Sequence, residues 1–409
     1  MKLLQTDTLQ GAREKLLLHL KKREQDIEYS ELLESEGRVL AADIKSSCNI
    51  PAFRRSTVDG YAVVARDTQG ASESIPVFLN ITNEVRIGYE AEFNIISGQC
   101  AYVPTGGMVP DGADAVVMVE YCEQLDEISL AVNDSVSVGR NLVAIGEDIR
   151  SGELVLKKGT MLRPQEIGAL ASLGIAVVPV YKKMRLTLIS TGDELVALGD
   201  EPQLGQIRDI NTYALKSLAI KHGFEVVGAH VLNDDEDLLK SVISNSMISS
   251  DIIAVSGGSS KGKKDMTAKV LDELSKPGVF IHGISIKPGK PTILGYDEES
   301  DTVLLGLPGH PVAALLIFEL IAIWLKNSLE WRPEKKAIFA KMDINIASDP
   351  GKTTIQTVKL SENENGYIAS PVFGKSGLMS TLTLADGYTI IEMNKEGLQK
   401  GEQVKVFLL

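Results

Sequence analysis

A chain of 409 residues is too long for one hydrophobic core, so several domains are expected. Its 44% hydrophobic and 24% charged residues are the composition of a folded globular protein and exclude extensive disorder. The formal net charge of −13 argues against sequence-independent nucleic-acid binding, which needs a basic face, but not against a small anion held by a local cluster of lysines.

Charges interrupt the apolar stretch of the N-terminal residues, which have no small-residue cleavage site. They read as an amphipathic helix from Leu9 to Leu20 rather than a signal peptide. A second helical reading covers residues 29–44, YSELLESEGRVLAADI. From Pro51 to about Ile145 come short apolar segments broken by Gly, Pro, Asn and Asp: YAVVA, SIPVFLNI, QCAYVP, DAVVMVEY and ISLAVN. That spacing predicts small all-β modules. Residues 146–164 read as a strand-rich connector, and Pro164 opens a short helix that Gly174 closes.

Between about 182 and 328 the pattern becomes strand–helix alternation. The strands RLTLIS, EVVGAHVL, DIIAVS, GISIK and TVLLGL predict a parallel or mixed sheet covered by helices. The apolar run 312–325 is too short to span a bilayer and contains Glu319, so a cytoplasmic protein without membrane contact is expected. After Pro333 five further short strands predict a separate β domain. The expected architecture is multidomain α/β plus β. A discontinuous helical and strand connector covers 1–50 and 140–180, and a β-rich domain covers 51–139. The central α/β domain spans 181–328, and a small β domain spans 329–409.

Ligands of open α/β sheets bind beyond the carboxyl ends of the strands, and the glycine-rich motifs fall there. ISTGDEL offers the hydroxyls of Ser190 and Thr191, a tight turn at Gly192, and carboxylates at Asp193 and Glu194; Asp193 reads equally as a helix cap. Asp209 and Asn211 precede a helix and also read as caps. SGGSSKGKKD (256–265) places Gly257, Gly258, Ser260 and Gly262 before a helix, where backbone amides can hold an anion. It is not a nucleotide-hydrolysing phosphate loop, because Lys264 stands where that motif needs a magnesium-binding hydroxyl.

In SIKPGKP, Lys287 and Lys290 flank Pro288-Gly289, a rigid turn that fixes two ammonium groups. GLPGHP, with Pro308, Gly309 and His310, leads into the apolar helix. In the β region, PAFRRSTVDGYAV carries Asp59 and VPTGGMVP carries Thr105; alone, each also reads as a plain loop. Gly146-Glu147-Asp148 and Asp234-Asp235 read as solvated acidic turns. Cys48, Cys100 and Cys122 form no C-x-x-C pair and the five histidines no H-x-x-x-H pair. A metal is therefore expected on oxygen ligands, which favours magnesium over zinc.

Together and in this order, RRSTVDGYAV, VPTGG-x-VP-x-GADAVV, GED, ISTGDEL, G-x-I-x-D-x-N, SGG-x-S-x-G-x-x-D, KPGKP and GLPG-x-P resemble the molybdopterin molybdenumtransferase (MoeA) family, which includes the E domain of gephyrin. The resemblance runs from about residue 8 to 325. It implies a molybdopterin-binding central domain that takes adenylylated molybdopterin and molybdate, uses magnesium, and releases AMP as molybdenum cofactor forms. It also implies an elongated homodimer whose site joins the α/β domain of one subunit to the region of Asp59 and Thr105 of the other. Molybdopterin adenylyltransferase and apo-molybdoenzymes are its implied further partners.

Carried over residue by residue, the resemblance gives functional roles to Asp59, Thr105, Asp148, Glu194, Asp235, Asp265, Lys287, Lys290 and Pro308. Glu194, Asp235 and Asp265 are the implied metal ligands. The loop departs from the family pattern at Ser259, Lys261, Lys263 and Lys264, and His310 stands where asparagine is common. A molybdopterin adenylyltransferase, sharing the α/β fold, and a non-catalytic cofactor carrier are the competing readings.

Overall fold

The computed structural model describes residues 6–20, 25–257, 264–330, 335–364 and 366–409, without the side chains of Lys264 and Asp265. The chain divides into two units, Tyr29–Val180, and Met1–Glu28 with Tyr181–Leu409.

In Tyr29–Val180 the short apolar runs form a six-stranded sheet. Its order is Ala115–Met118, Gly60–Val63, Gln99–Val103, Val77–Glu84, Ser129–Val132, Cys122–Gln124. Side chains alternate between its faces. Tyr61 and Val63 join Cys100 and Val117 in one core, while Ala62 joins Val103, Val116 and Ile95 in the other.

Residues 29–44 correct the second helical expectation. Only Leu33–Ser35 makes a helical turn. Val39 bridges Met161, Leu40 bridges Val180, and Ile44–Lys45 pairs antiparallel with Leu154–Leu156. Leu40 is spent on a small core with Leu162, Leu170, Val178 and Val180, where long-range pairing overrides the local helical propensity. The helix Pro164–Ser172 forms as expected, with Gly174 at φ +72° just beyond it.

The other unit is built on a six-stranded mixed sheet. Its order is Glu225–Leu232, Arg185–Thr191, Ile252–Gly257, Thr302–Leu307, Ile293–Asp297, Pro277–His282. The first four strands are parallel and the last two antiparallel. Helices Asn211–Lys221, Glu236–Met247 and Lys264–Glu273 lie between its strands in sequence, and Leu9–His19 buries Leu9, Ala12 and Leu16 in the same core. The GISIK strand is a second correction: Ile286–Lys287 does not enter this sheet but pairs in parallel with Thr353–Thr354. The C-terminal strands Ala337–Met342, Thr353–Asn363, Gly366–Pro371, Gly387–Ile391 and Gln403–Leu408 close into a barrel, because Thr353–Asn363 pairs with Gly387–Ile391 as well as with Gly366–Pro371.

The apolar helix is longer than its apolar run. A π-helical turn at Glu319–Ile323 joins Pro311–Phe318 to Trp324–Leu329. Pro311–Leu329 is thus long and apolar enough to cross a membrane, yet 72% of its most apolar window is buried in the protein, as a core helix would be. Arg13 donates to the Leu320 carbonyl from Nε at 3.0 Å and Nη2 at 2.7 Å, satisfying an acceptor inside the π turn. The buried Glu319 carboxylate pairs with Lys335 and accepts from Tyr388 Oη at 3.1 Å.

Candidate functional site

Three parallel strands end side by side, Thr191 in register with Gly257 and Ser256 with Leu307. Asn211, opening the next helix, reaches across these ends. Its Nδ2 donates to Ser256 Oγ at 2.6 Å and to the Gly309 carbonyl at 2.9 Å. Ser256 Oγ in turn donates to the Pro308 carbonyl at 3.4 Å, and Ser190 Oγ shares a 2.8 Å hydrogen bond with Thr212 Oγ1. The sequence therefore brings Ser190, Thr191, Asp209, Asn211, Gly257, Pro308 and Gly309 to one edge.

Gly257 is required there. Its φ is +140°, and a Cβ on it would stand 2.1 Å from the Thr191 carbonyl oxygen. A small pocket beside it is lined by Thr267, His282, Pro291, Ile293 and Pro308. Four buried oxygens at and beside the strand ends have no hydrogen-bond partner among the described residues: Thr191 Oγ1, Asp209 Oδ2, Asn211 Oδ1 and Thr267 Oγ1. Buried polar atoms are costly unless water or a ligand meets them, so this edge has the chemistry of a polar binding site. Asp209 Oδ1 accepts from the Thr212 amide at 3.2 Å, while Oδ2, also buried, has no partner among the described residues.

The acidic residues are distributed around this edge. Asp193 does not cap a helix; it accepts from the Asp234 amide at 3.0 Å and ties the two acidic turns together. Asp235 is the cap of Glu236–Met247, accepting from the Leu238 amide at 2.9 Å. Glu194 is exposed, its carboxylate folded over Gly192, where an added Cβ would stand 2.7 Å from Oε2. Lys290 is exposed. Lys287 Nζ pairs with Asp349 Oδ2 at 3.0 Å. Gly289, at φ +119°, packs so closely on Ile317 that a Cβ would meet Cδ1 at 2.5 Å, which accounts for the glycine between Pro288 and Lys290. His310 Nδ1 lies 2.8 Å from Ser376 Oγ of the barrel. Gly258, Ser260, Lys261, Gly262 and Lys263 lie outside the described residues, as do the side chains of Lys264 and Asp265.

In the Tyr29–Val180 unit the structure joins Asp59 to Thr105. The Asp59 carboxylate accepts from the Thr105 amide at 2.6 Å and from its Oγ1 at 3.0 Å, which holds its pKa below the usual carboxylate range. Asp148 is exposed, with its amide donating to the Ile50 carbonyl at 3.1 Å.

Among the described residues no three His, Cys, Asp or Glu side chains cluster to hold a metal unaided. A magnesium ion nevertheless fits the donor chemistry of the strand ends. It prefers oxygen and commonly takes only one or two carboxylates, completing its shell with water and substrate phosphate. The exposed Glu194 carboxylate and the unpartnered Thr191 hydroxyl are donors of that kind. Thr267 and His282 were missed by sequence reasoning. Thr267 had a signal, since it follows the SGGSSKGKKD loop by two residues; His282 ends an antiparallel strand with no motif around it.

Three family models match in succession: the MoeA N-terminal region (domain I and II) over residues 7–174, a probable molybdopterin binding domain over 187–327, and the MoeA C-terminal region (domain IV) over 340–409. The chain is 35% identical to a putative molybdopterin biosynthesis protein of Methanocaldococcus jannaschii, covering 93% of this chain and 91% of that protein. It is 32% identical to the molybdopterin molybdenumtransferase of Haemophilus influenzae, covering 98% of both. The crystal structure of the molybdopterin biosynthesis MoeA protein from Pyrococcus horikoshii OT3 superimposes with a TM-score of 0.83 at 32% identity, over 99% of this chain and 100% of that one.

Proposed function

The chain belongs to the MoeA family of molybdopterin molybdenumtransferases, and on that premise we propose that it inserts molybdenum from molybdate into adenylylated molybdopterin with release of AMP. The observation that carries this reading is the edge of unpartnered buried oxygens beside Gly257. They suit a polar ligand that brings hydrogen-bond donors, as the N–H groups of a pterin do, better than an apolar ligand.

The roles follow from charge. Lys287 and Lys290 neutralise substrate phosphate or molybdate. The amides of Gly257 and Gly258, with Ser260 and Gly262, meet an anion at the start of Lys264–Glu273, where the helix end carries partial positive charge. Asn211 and Asp209 orient the pterin nucleotide's polar edge, with Ser190, Thr191 and Gly192 forming the floor. Glu194, Asp235 and Asp265 are the residues that would hold magnesium, which when bound supplies positive charge beside the phosphate. Fixed dipoles and charges of this kind speed a phosphoanhydride cleavage without a protein nucleophile.

The protein works as a homodimer in the cytoplasm, in which the second copy supplies Asp59, Thr105 and Asp148. The family resemblance of the motifs around those residues supports that part of the reading. The adenylyltransferase alternative is separated by direction of reaction. Purified protein given molybdopterin and ATP should form no adenylylated product, whereas given the adenylylated pterin with molybdate and magnesium it should release AMP. Formation of the adenylylated pterin from ATP would replace the transferase reading with the adenylyltransferase one.

A further inference from the structure

We propose that Asp349 is an internal counter-anion that occupies the ammonium group of Lys287 until a substrate oxyanion displaces it. The proposal rests on the reading of Lys287 as an anion ligand. Two features of the fold converge on this lysine. Its backbone is held by the barrel: Lys287 pairs with Thr354 in parallel register, and the Thr353 amide donates to the Ser285 carbonyl at 2.9 Å. Its side chain is held by the same domain through Asp349 Oδ2 at 3.0 Å, and Lys352 Nζ approaches that same oxygen at 3.4 Å.

One carboxylate oxygen thus serves two ammonium groups. The cluster is open to water, with the Lys287 side chain 58% exposed and that of Asp349 40% exposed. Exposed pairs of this kind are worth little and exchange readily. Beside the cluster Thr354 Oγ1, on a residue 9% exposed and in register with Lys287, has no hydrogen-bond partner among the described residues. Two cations on one monoanion leave positive charge over, and a tetrahedral dianion compensates it better than the carboxylate does. The carboxylate also repels that dianion, so the bound state requires it to turn away. In this account Asp349 keeps the two lysines together without substrate and sets a threshold that weakly charged anions do not pass. It is a positioning residue and takes no part in the chemistry.

The test is titration calorimetry with inorganic molybdate, tungstate and sulfate on the full-length protein, at low and high salt. Asp349→Asn removes the charge and keeps the shape. It should bind molybdate about fivefold tighter at low salt, with a steeper loss of affinity as salt rises. Asp349→Glu should restore wild-type affinity, and Lys287→Gln should lose most of it, with thermal unfolding checking that each variant is folded. If the wild type binds but Asp349→Asn binds equally or more weakly, the counter-anion role is overturned and the transferase reading stands. If neither protein binds any oxyanion, even with the carboxylate removed, both are overturned.

Discussion

Asn211 donates its side-chain amide to Ser256 Oγ at 2.6 Å, so one residue at the start of a helix is tied to the end of a neighbouring strand. A second donation, to the Gly309 carbonyl at 2.9 Å, extends the tie to the GLPGHP loop. Asn211→Ala removes both donors and leaves a buried hydroxyl and a carbonyl short of a partner. It should cost about 1–3 kcal/mol of stability and raise KM for the pterin substrate. Urea denaturation alongside steady-state kinetics checks both; an unchanged KM would place the substrate elsewhere.

Gly257 tests the same edge by bulk rather than by bonding. Gly257→Ala must place a Cβ at φ +140° and 2.1 Å from a backbone oxygen, so the ends of two paired strands have to part. The expected loss is about 2 kcal/mol or more from strained backbone, with pterin binding reduced further than stability alone explains. Fluorescence titration with molybdopterin at a temperature where the variant remains folded separates the two effects.

The Asp59–Thr105 pair makes a prediction in pH. The Thr105 amide, and then its hydroxyl, lower the Asp59 pKa in the folded protein. Its contribution to stability is therefore present above the ordinary carboxylate pKa and is lost as pH falls through the lowered folded value. Thr105→Val keeps the amide and removes the hydroxyl, so the Asp59 pKa should rise only part of the way back. Carbon-detected NMR titration of the carboxyl group reads this directly, and a full return to the ordinary value would assign the effect to the hydroxyl alone.

Cysteine reactivity offers a further check on the Tyr29–Val180 core. Burial, and then the neighbouring Cys122, push the Cys100 thiol up to about 12; burial, and then Glu120, push Cys122 up to about 12. Cys48 is exposed. At pH 8 a thiol reagent should modify Cys48 on the native protein and reach Cys100 and Cys122 only after unfolding. Mass spectrometry of the modified peptides distinguishes the sites.

The central strands are legible in the sequence because they are long and bounded by polar turns: EVVGAHVL is the strand Glu225–Leu232 and TVLLGL is Thr302–Leu307. Segments whose partner is remote are not. Ile286–Lys287 looked like one more strand of the α/β sheet, yet its two residues pair with Thr353–Thr354 of the barrel. Residues 29–44 carried a helical pattern that bridges to Met161 and Val180 overrode. Pro277–His282 at the sheet edge and Ile293–Asp297 beside it, both paired antiparallel, had no alternating or motif signal to mark them.

The site was legible in its glycines, prolines and polar residues, since loop chemistry is local. Its supports were not. Nothing in SIKPGKP points to Asp349, and nothing in GLPGHP points to Ser376, because both contacts are made by the barrel folding back on the α/β domain.

The central claim is tested most directly by the dependence of AMP release on molybdate. Purified protein, adenylylated molybdopterin and magnesium are mixed with and without molybdate, and AMP is quantified alongside Asp265→Asn and Lys290→Ala variants. The account expects AMP to appear only when molybdate is added and both variants to be inactive while remaining folded. AMP release that ignores molybdate, tight pterin binding with no AMP at all, or wild-type rates in both variants would contradict it.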